Sequence, residues 1–223
     1  MLGSKLLMAA AGAGGGGVVI SLTANVVVTA NSTNYSGLFD GIAIGTAADD
    51  RVIAVVMSAS RATAGARTVS SCTVGGVSAA LVARQTSTNG DAHEIWSAVV
   101  PTGTTADIDI VFSSSMGSCG IGVYNIEGAD GAPASATAVD TGTALSQSLT
   151  VPVNGGAIAG GSNVSGGGAT ATWDSPMVEA YDENVEDRTQ SGAIASSTGS
   201  ITVAVNFTVD RSDDTMVAAA WSA

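Results

Sequence analysis

Apolar and polar residues alternate with a period of two through much of the chain. The pattern is clearest in Asp107-Ile108-Asp109-Ile110-Val111-Phe112 and in Ser200-Ile201-Thr202-Val203-Ala204-Val205. A strand with one dry and one wet face reads this way, because successive side chains point to opposite sides of the pleat. Short runs rich in Val, Ile and Thr, bounded by Gly, Asn, Asp, Ser or Pro, predict strands over residues 18–28, 52–58, 69–74, 77–83, 93–100, 108–112, 120–126, 148–153, 157–161, 201–209 and 216–222. Gly75-Gly76 between two of these runs has the signature of a two-residue hairpin turn. Many short strands at this spacing predict an all-β fold, an antiparallel β-sandwich of jelly-roll-like type.

The series of runs loosely repeats. Residues 50–130 pass through Arg51-Val52-Ile53-Ala54-Val55, Thr73-Val74-Gly75-Gly76, a strand around Trp96, residues 107–112 and Gly120-Ile121-Gly122-Val123-Tyr124. Residues 147–223 pass through Gly155-Gly156-Ala157-Ile158-Ala159-Gly160, Thr172-Trp173, a strand around Ile194, residues 200–207 and Met216-Val217-Ala218-Ala219-Ala220-Trp221. Two halves joined in one domain over 18–223 are expected, neither with enough large apolar residues to close a core alone. Residues 1–17 form a separate Gly-rich N-terminal arm, expected to be held against another subunit.

Composition narrows the function classes. The chain has 223 residues, with 7 Lys and Arg against 19 Asp and Glu, a net charge of −12, and one His. Neutralising a phosphate backbone needs several cations, so no nucleic-acid partner is expected. No run of about 20 strongly apolar residues predicts a membrane span. A multi-histidine metal site is impossible, and no cofactor is expected. Few Lys residues also leave sheet edges thinly guarded, which favours a homo-oligomer.

Candidate chemistry is sparse. His93 precedes Glu94 on a predicted strand, where the two side chains point to opposite faces, so a carboxylate-oriented base is not expected there. Glu179, Asp182, Glu183, Glu186 and Asp187 are the densest charge and read as a solvated loop, without the Gly and terminal Glu of a calcium loop. Arg188 beside them is expected to pair locally. Asp49-Asp50-Arg51 reads as a turn with a local ion pair. Cys72 and Cys119 read as two half-buried thiols, with a disulfide as the alternative. With 3 Phe, 3 Tyr and 3 Trp, each Trp reads as the plug of its own layer. No enzyme is expected; a secreted hydrolase, with residues 1–13 as its leader, is the weakest of the readings.

Thr73-Val74-Gly75-Gly76-Val77, Glu94-Ile95-Trp96, Pro101-Thr102-Gly103-Thr104, residues 107–112 and 121–129, and the ending Ala218-Ala219-Ala220-Trp221-Ser222 together carry a resemblance. Their order resembles a β-sandwich module of bacteriophage virion proteins and phage-like bacterial proteins, over most of residues 50–223. The Gly-rich arm is similar to the N-termini of small phage structural proteins. The resemblance implies a virion location, a decoration, fibre or spike role, and capsid or tail proteins as partners. It brings no catalytic residues. The implied anchor is Leu2, Leu6, Leu7 and Met8, docking by apolar burial. The alternative is a carbohydrate-binding adhesion module that grips a host surface glycan through Trp173.

Overall fold

In the computed structural model, residues 16–61, 65–86, 91–140, 144–163, 168–185, 188–209 and 214–223 are described. They contain 17 strands and no helix. The first nine are β1 (Val19–Asn34), β2 (Ile42–Ala43), β3 (Val52–Ser60), β4 (Val69–Val74), β5 (Val77–Ser78), β6 (Ala80–Thr86), β7 (Ala92–Val99), β8 (Thr105–Ala106) and β9 (Ile108–Glu127). The rest are β10 (Pro133–Asp140), β11 (Ala144–Val151), β12 (Gly156–Asn163), β13 (Ala171–Trp173), β14 (Val178–Val185), β15 (Arg188–Ala195), β16 (Gly199–Phe207) and β17 (Thr215–Trp221). All pairings are antiparallel.

Five strands of the first half lie in the order β1-β9-β3-β7-β6, and five of the second in the order β10-β17-β12-β15-β14. Place by place, the two sheets use strands from corresponding points of the chain. A second wall completes each half: β5-β4 on the early part of β9, and β11-β16-β13. The halves differ in how the walls join. In the first, the 20-residue β9 runs unbroken through both, pairing with β4 over Ile108–Phe112 and with β3 over Ser118–Ile126, so the sheet curls into a half-barrel. In the second, β16 and β17 are separate strands that belong to two different sheets.

The core has three clusters. One fills the half-barrel, one lies between the two sheets of the second half, and the third lies between the halves. Each holds one tryptophan: Trp96, Trp173 and Trp221 in turn. The halves therefore do close cores of their own. The large residues missing from 50–130 come from the segment before it, where Tyr35, Phe39, Ile42 and Ile44 plug the half-barrel. Central strands β3, β12 and β17 are buried along their whole length, because a layer covers each of their faces. That is why Val52-Ile53-Ala54-Val55-Val56-Met57 reads as a continuous apolar run.

Local chemistry sets the turns. Gly75 and Gly76 take φ of 58° and 77°, the mirror-image turn that matches strand twist, and Val74 pairs with Val77 across it. The acidic segment differs from the loop expected of it. Val178–Val185 is an edge strand whose Tyr181 is buried between the halves, while Glu179 is exposed and Asp182 and Glu183 are half-buried.

Candidate functional site: a buried polar seam

The two five-stranded sheets stack face to face. β3 lies on β12; β6 lies on β10 and β17, as β14 lies on β1 and β9. Exchanging the halves turns each of these contacts into another, so the seam has an approximate two-fold relation of the isologous kind. Val56 on β3 is flanked by Gly122 and Ile95, and its counterpart Gly160 on β12 by Val217 and Gly192. Where one half is large the other is small. A Cβ on Gly160 would collide with Val56, and one on Gly122 with the Tyr181 ring. This stepped fit lets the sheets approach closely and makes the two faces non-interchangeable.

One end of the seam is polar. Ser58 and its counterpart Ser162 share a hydrogen bond of 2.8 Å between hydroxyls. Arg188 Nη1 donates to Ser162 Oγ at 3.1 Å, and Arg188 Nη2 pairs with Asp91. Both charges are buried, and each offsets the cost of burying the other. His93, next to Ser58 on β7, reaches Thr215 Oγ1 through Nδ1 at 3.0 Å. Its counterpart Gln190, next to Ser162 on β15, donates to Asn25 Oδ1 at 3.2 Å. Burial, helped by the Arg188 charge, lowers the His93 pKa from 6.5 to about 3. The imidazole is therefore neutral and enclosed at physiological pH. The file of Ser58, Ser162, Arg188, Asp91, His93 and Thr215 holds two sheets in register and presents no reacting group at the surface.

Other residues with chemical potential are likewise engaged inside. Glu94 faces the half-barrel, opposite to His93. Its carboxylate accepts from Val69 N at 2.8 Å, from Trp96 Nε1 at 2.7 Å and from Arg84 Nη2 at 3.0 Å, tying β4 to β6 and β7. Arg51 does not form the expected turn ion pair. It is buried, and its guanidinium donates to the carbonyls of Val100, Thr102 and Gly45, while Asp50 accepts from Gly128 N. Cys72 and Cys119 are free and buried. Burial pushes the Cys72 thiol up to about 12, with the charges of Glu94 and Asp109 adding to it, and raises Cys119 as well.

No family model, curated protein or solved structure matches the chain. The site is thus defined by its own geometry.

The residues singled out from the sequence fall in different places. Leu2, Leu6, Leu7 and Met8 lie outside the described residues, as do Glu186 and Asp187. Trp173 lies in the core of the second half, its indole N–H donating to Ser191 Oγ at 2.9 Å. Glu179, Asp182 and Glu183 sit together on β14. Burial raises the Asp182 pKa to about 6, opposed by a hydrogen bond from Ala171 N and reinforced by the charges of Glu179 and Glu183. Among the described residues no three His, Cys, Asp or Glu side chains are placed to hold a metal ion. Arg188 pairs across the seam with Asp91. The seam residues Ser58, Asp91, Ser162, Gln190 and Thr215 escape a reading of the sequence. For Ser58 and Ser162 the one local signal is a hydroxyl closing a run of apolar and small residues, as in Val55-Val56-Met57-Ser58.

Proposed function

We propose that the protein is a structural component of a bacteriophage particle, of decoration, fibre or spike type, a jelly-roll-like sandwich built from two loosely repeated halves and anchored to capsid or tail subunits through residues 1–17. Its work is binding and not chemistry. The observation that carries this reading is the root of the arm. Val18 N donates to Asn154 O at 2.7 Å, and the Gly17 backbone lies against Asn154 of the second half and Gly128 at the end of the first. The chain thus enters the fold at a point gripped by both halves. A tether rooted there transmits its hold to the whole molecule and not to one frayed strand. The order of motifs described above supports the phage setting, and the acidic surface suits crowded copies that must stay soluble.

A glycan-gripping role needs an exposed ring on which a sugar can stack. Each of the nine aromatic residues, Trp173 included, is buried, and no observation favours that second reading. The test is deletion of residues 1–16 followed by assembly with the particle. Loss of incorporation with unchanged circular dichroism is the expected result. Incorporation at the wild-type level overturns the anchor.

A further inference from the structure

The approximate two-fold relation of the seam extends to its charges. Ile95 on β7 and Gly192 on β15 hold equivalent places beside Val56 and Gly160. Four residues before each stand Asp91 and Arg188. The buried ion pair therefore joins the two members of one equivalent position, negative in the first half and positive in the second. The hydroxyls beside it are related in the same way. Ser58 and Ser162 are equivalents and bond to each other at 2.8 Å, which marks the axis. The next contacts form a matched couple. His93 meets Thr215, while its counterpart Gln190 lies against Gly120, the counterpart of Thr215.

Only unlike halves satisfy this surface. Two first halves brought together about the same axis would set Asp91 on Asp91 and Val56 on Val56. Two second halves would set Arg188 on Arg188 and leave a gap between one Gly160 and the other. Like charges facing each other in a desolvated contact cost far more than at an exposed surface. Each half nevertheless needs a partner, because Val52 and Tyr124 of the first and Val217 and Trp221 of the second belong to the apolar cluster buried between them.

We propose that the seam is a pairing surface that accepts the opposite half, from its own chain or from a second copy, and rejects the like half, with Asp91 and Arg188 setting the rule. Residues 128–132, between β9 and β10, are the hinge. Opening it lets two copies exchange second halves and form two seams, each with the contacts of the single chain. Exchange of this kind closes at two and creates no new type of contact. The proposal stands whether or not the particle reading is correct.

Full-length charge variants test it. Asp91→Arg sets an arginine against Arg188, and Arg188→Asp sets an aspartate against Asp91. Each is expected to have a lower denaturation midpoint than wild type. The double variant, Asp91→Arg with Arg188→Asp, reverses the pair. The two-fold relation puts Ser58 beside the new arginine as Ser162 lies beside Arg188, so the double variant is expected to recover most of the lost midpoint. The deciding experiment mixes the two single variants in denaturant and refolds them together. Each second half then has its complement only in the first half of the other protein. Native mass spectrometry should show a dimer with one copy of each, exceeding either homodimer by at least about a hundredfold. Single variants with wild-type midpoints, or a double variant no more stable than the singles, overturn the charge rule. A refolded mixture in which the mixed dimer does not exceed the homodimers overturns the exchange between copies.

Discussion

His93 shows how one residue couples the seam to pH. Its folded pKa of about 3 lies below the ordinary 6.5, so between these values the unfolded chain binds the proton and the folded one does not. Stability from this group is therefore present at neutral pH and is lost as pH falls from about 6.5 toward 3. Asp182 works in the opposite sense. Its folded pKa of about 6 exceeds 3.8, and its contribution improves as pH falls through that window. His93→Gln copies the residue that the second half carries at the equivalent place. It is expected to fold at pH 7 and to flatten the acid limb of a denaturant-midpoint-versus-pH curve between about pH 6 and 4. A limb as steep as wild type would place the titration elsewhere. The two thiols make a second prediction at this scale. Both are buried and held protonated, and the thiolate is the reactive form. Native protein should give almost no reaction with a thiol reagent at pH 8, and two equivalents after denaturation without reductant. One or none after denaturation would mean that the thiols are blocked or bonded.

At the scale of elements, strands with a clear apolar face were legible, and those defined by position were not. β4 and its Gly75-Gly76 turn follow from local propensity and backbone freedom, which the sequence states directly. β14 was hidden because Glu179, Asp182 and Glu183 resemble a loop, although an edge strand tolerates such residues on its open side. β10 was hidden by Pro133, which is acceptable at the first residue of a strand. β9 reads as two strands because Ser113-Ser114-Ser115 interrupts the apolar pattern, yet Met116 is buried and the strand continues through the curl. What the sequence cannot state is which side chain closes the half-barrel. Glu94 does so, and removing its acceptors should loosen β4 from β6 and β7. Glu94→Gln leaves at least one buried donor unpaired, at a cost of about 1–3 kcal/mol. In hydrogen exchange, the loss should appear first in β4 and β6. Equal loss of protection across both halves would show that Glu94 has no such local role.

At the scale of the whole molecule, the repeated order of elements is visible in sequence, whereas the fit between the halves is not. Pairing across the seam joins residues distant in the chain, and the match is one of complementary sizes, so it leaves no repeated motif to find. Gly160 and Val56 occupy corresponding places and differ because they touch. Gly160→Val should therefore overpack the seam and destabilise the protein by about 1–3 kcal/mol or more. The buried pair decides whether the polar end of the seam supplies stability or register. Removing one partner takes the counter-charge from a buried ion, so Arg188→Met alone is expected to cost about 3–5 kcal/mol. Replacing both, as Asp91→Leu with Arg188→Met, removes the desolvation penalty together with the attraction and should recover most of that loss. If the double variant regains its denaturation midpoint but unfolds in two separate transitions, the pair serves to lock the halves into one cooperative unit. If it stays as unstable as the single variant, the pair is a net source of stability, because the hydrogen bond to Ser162 and the ion pair then exceed what apolar packing can replace.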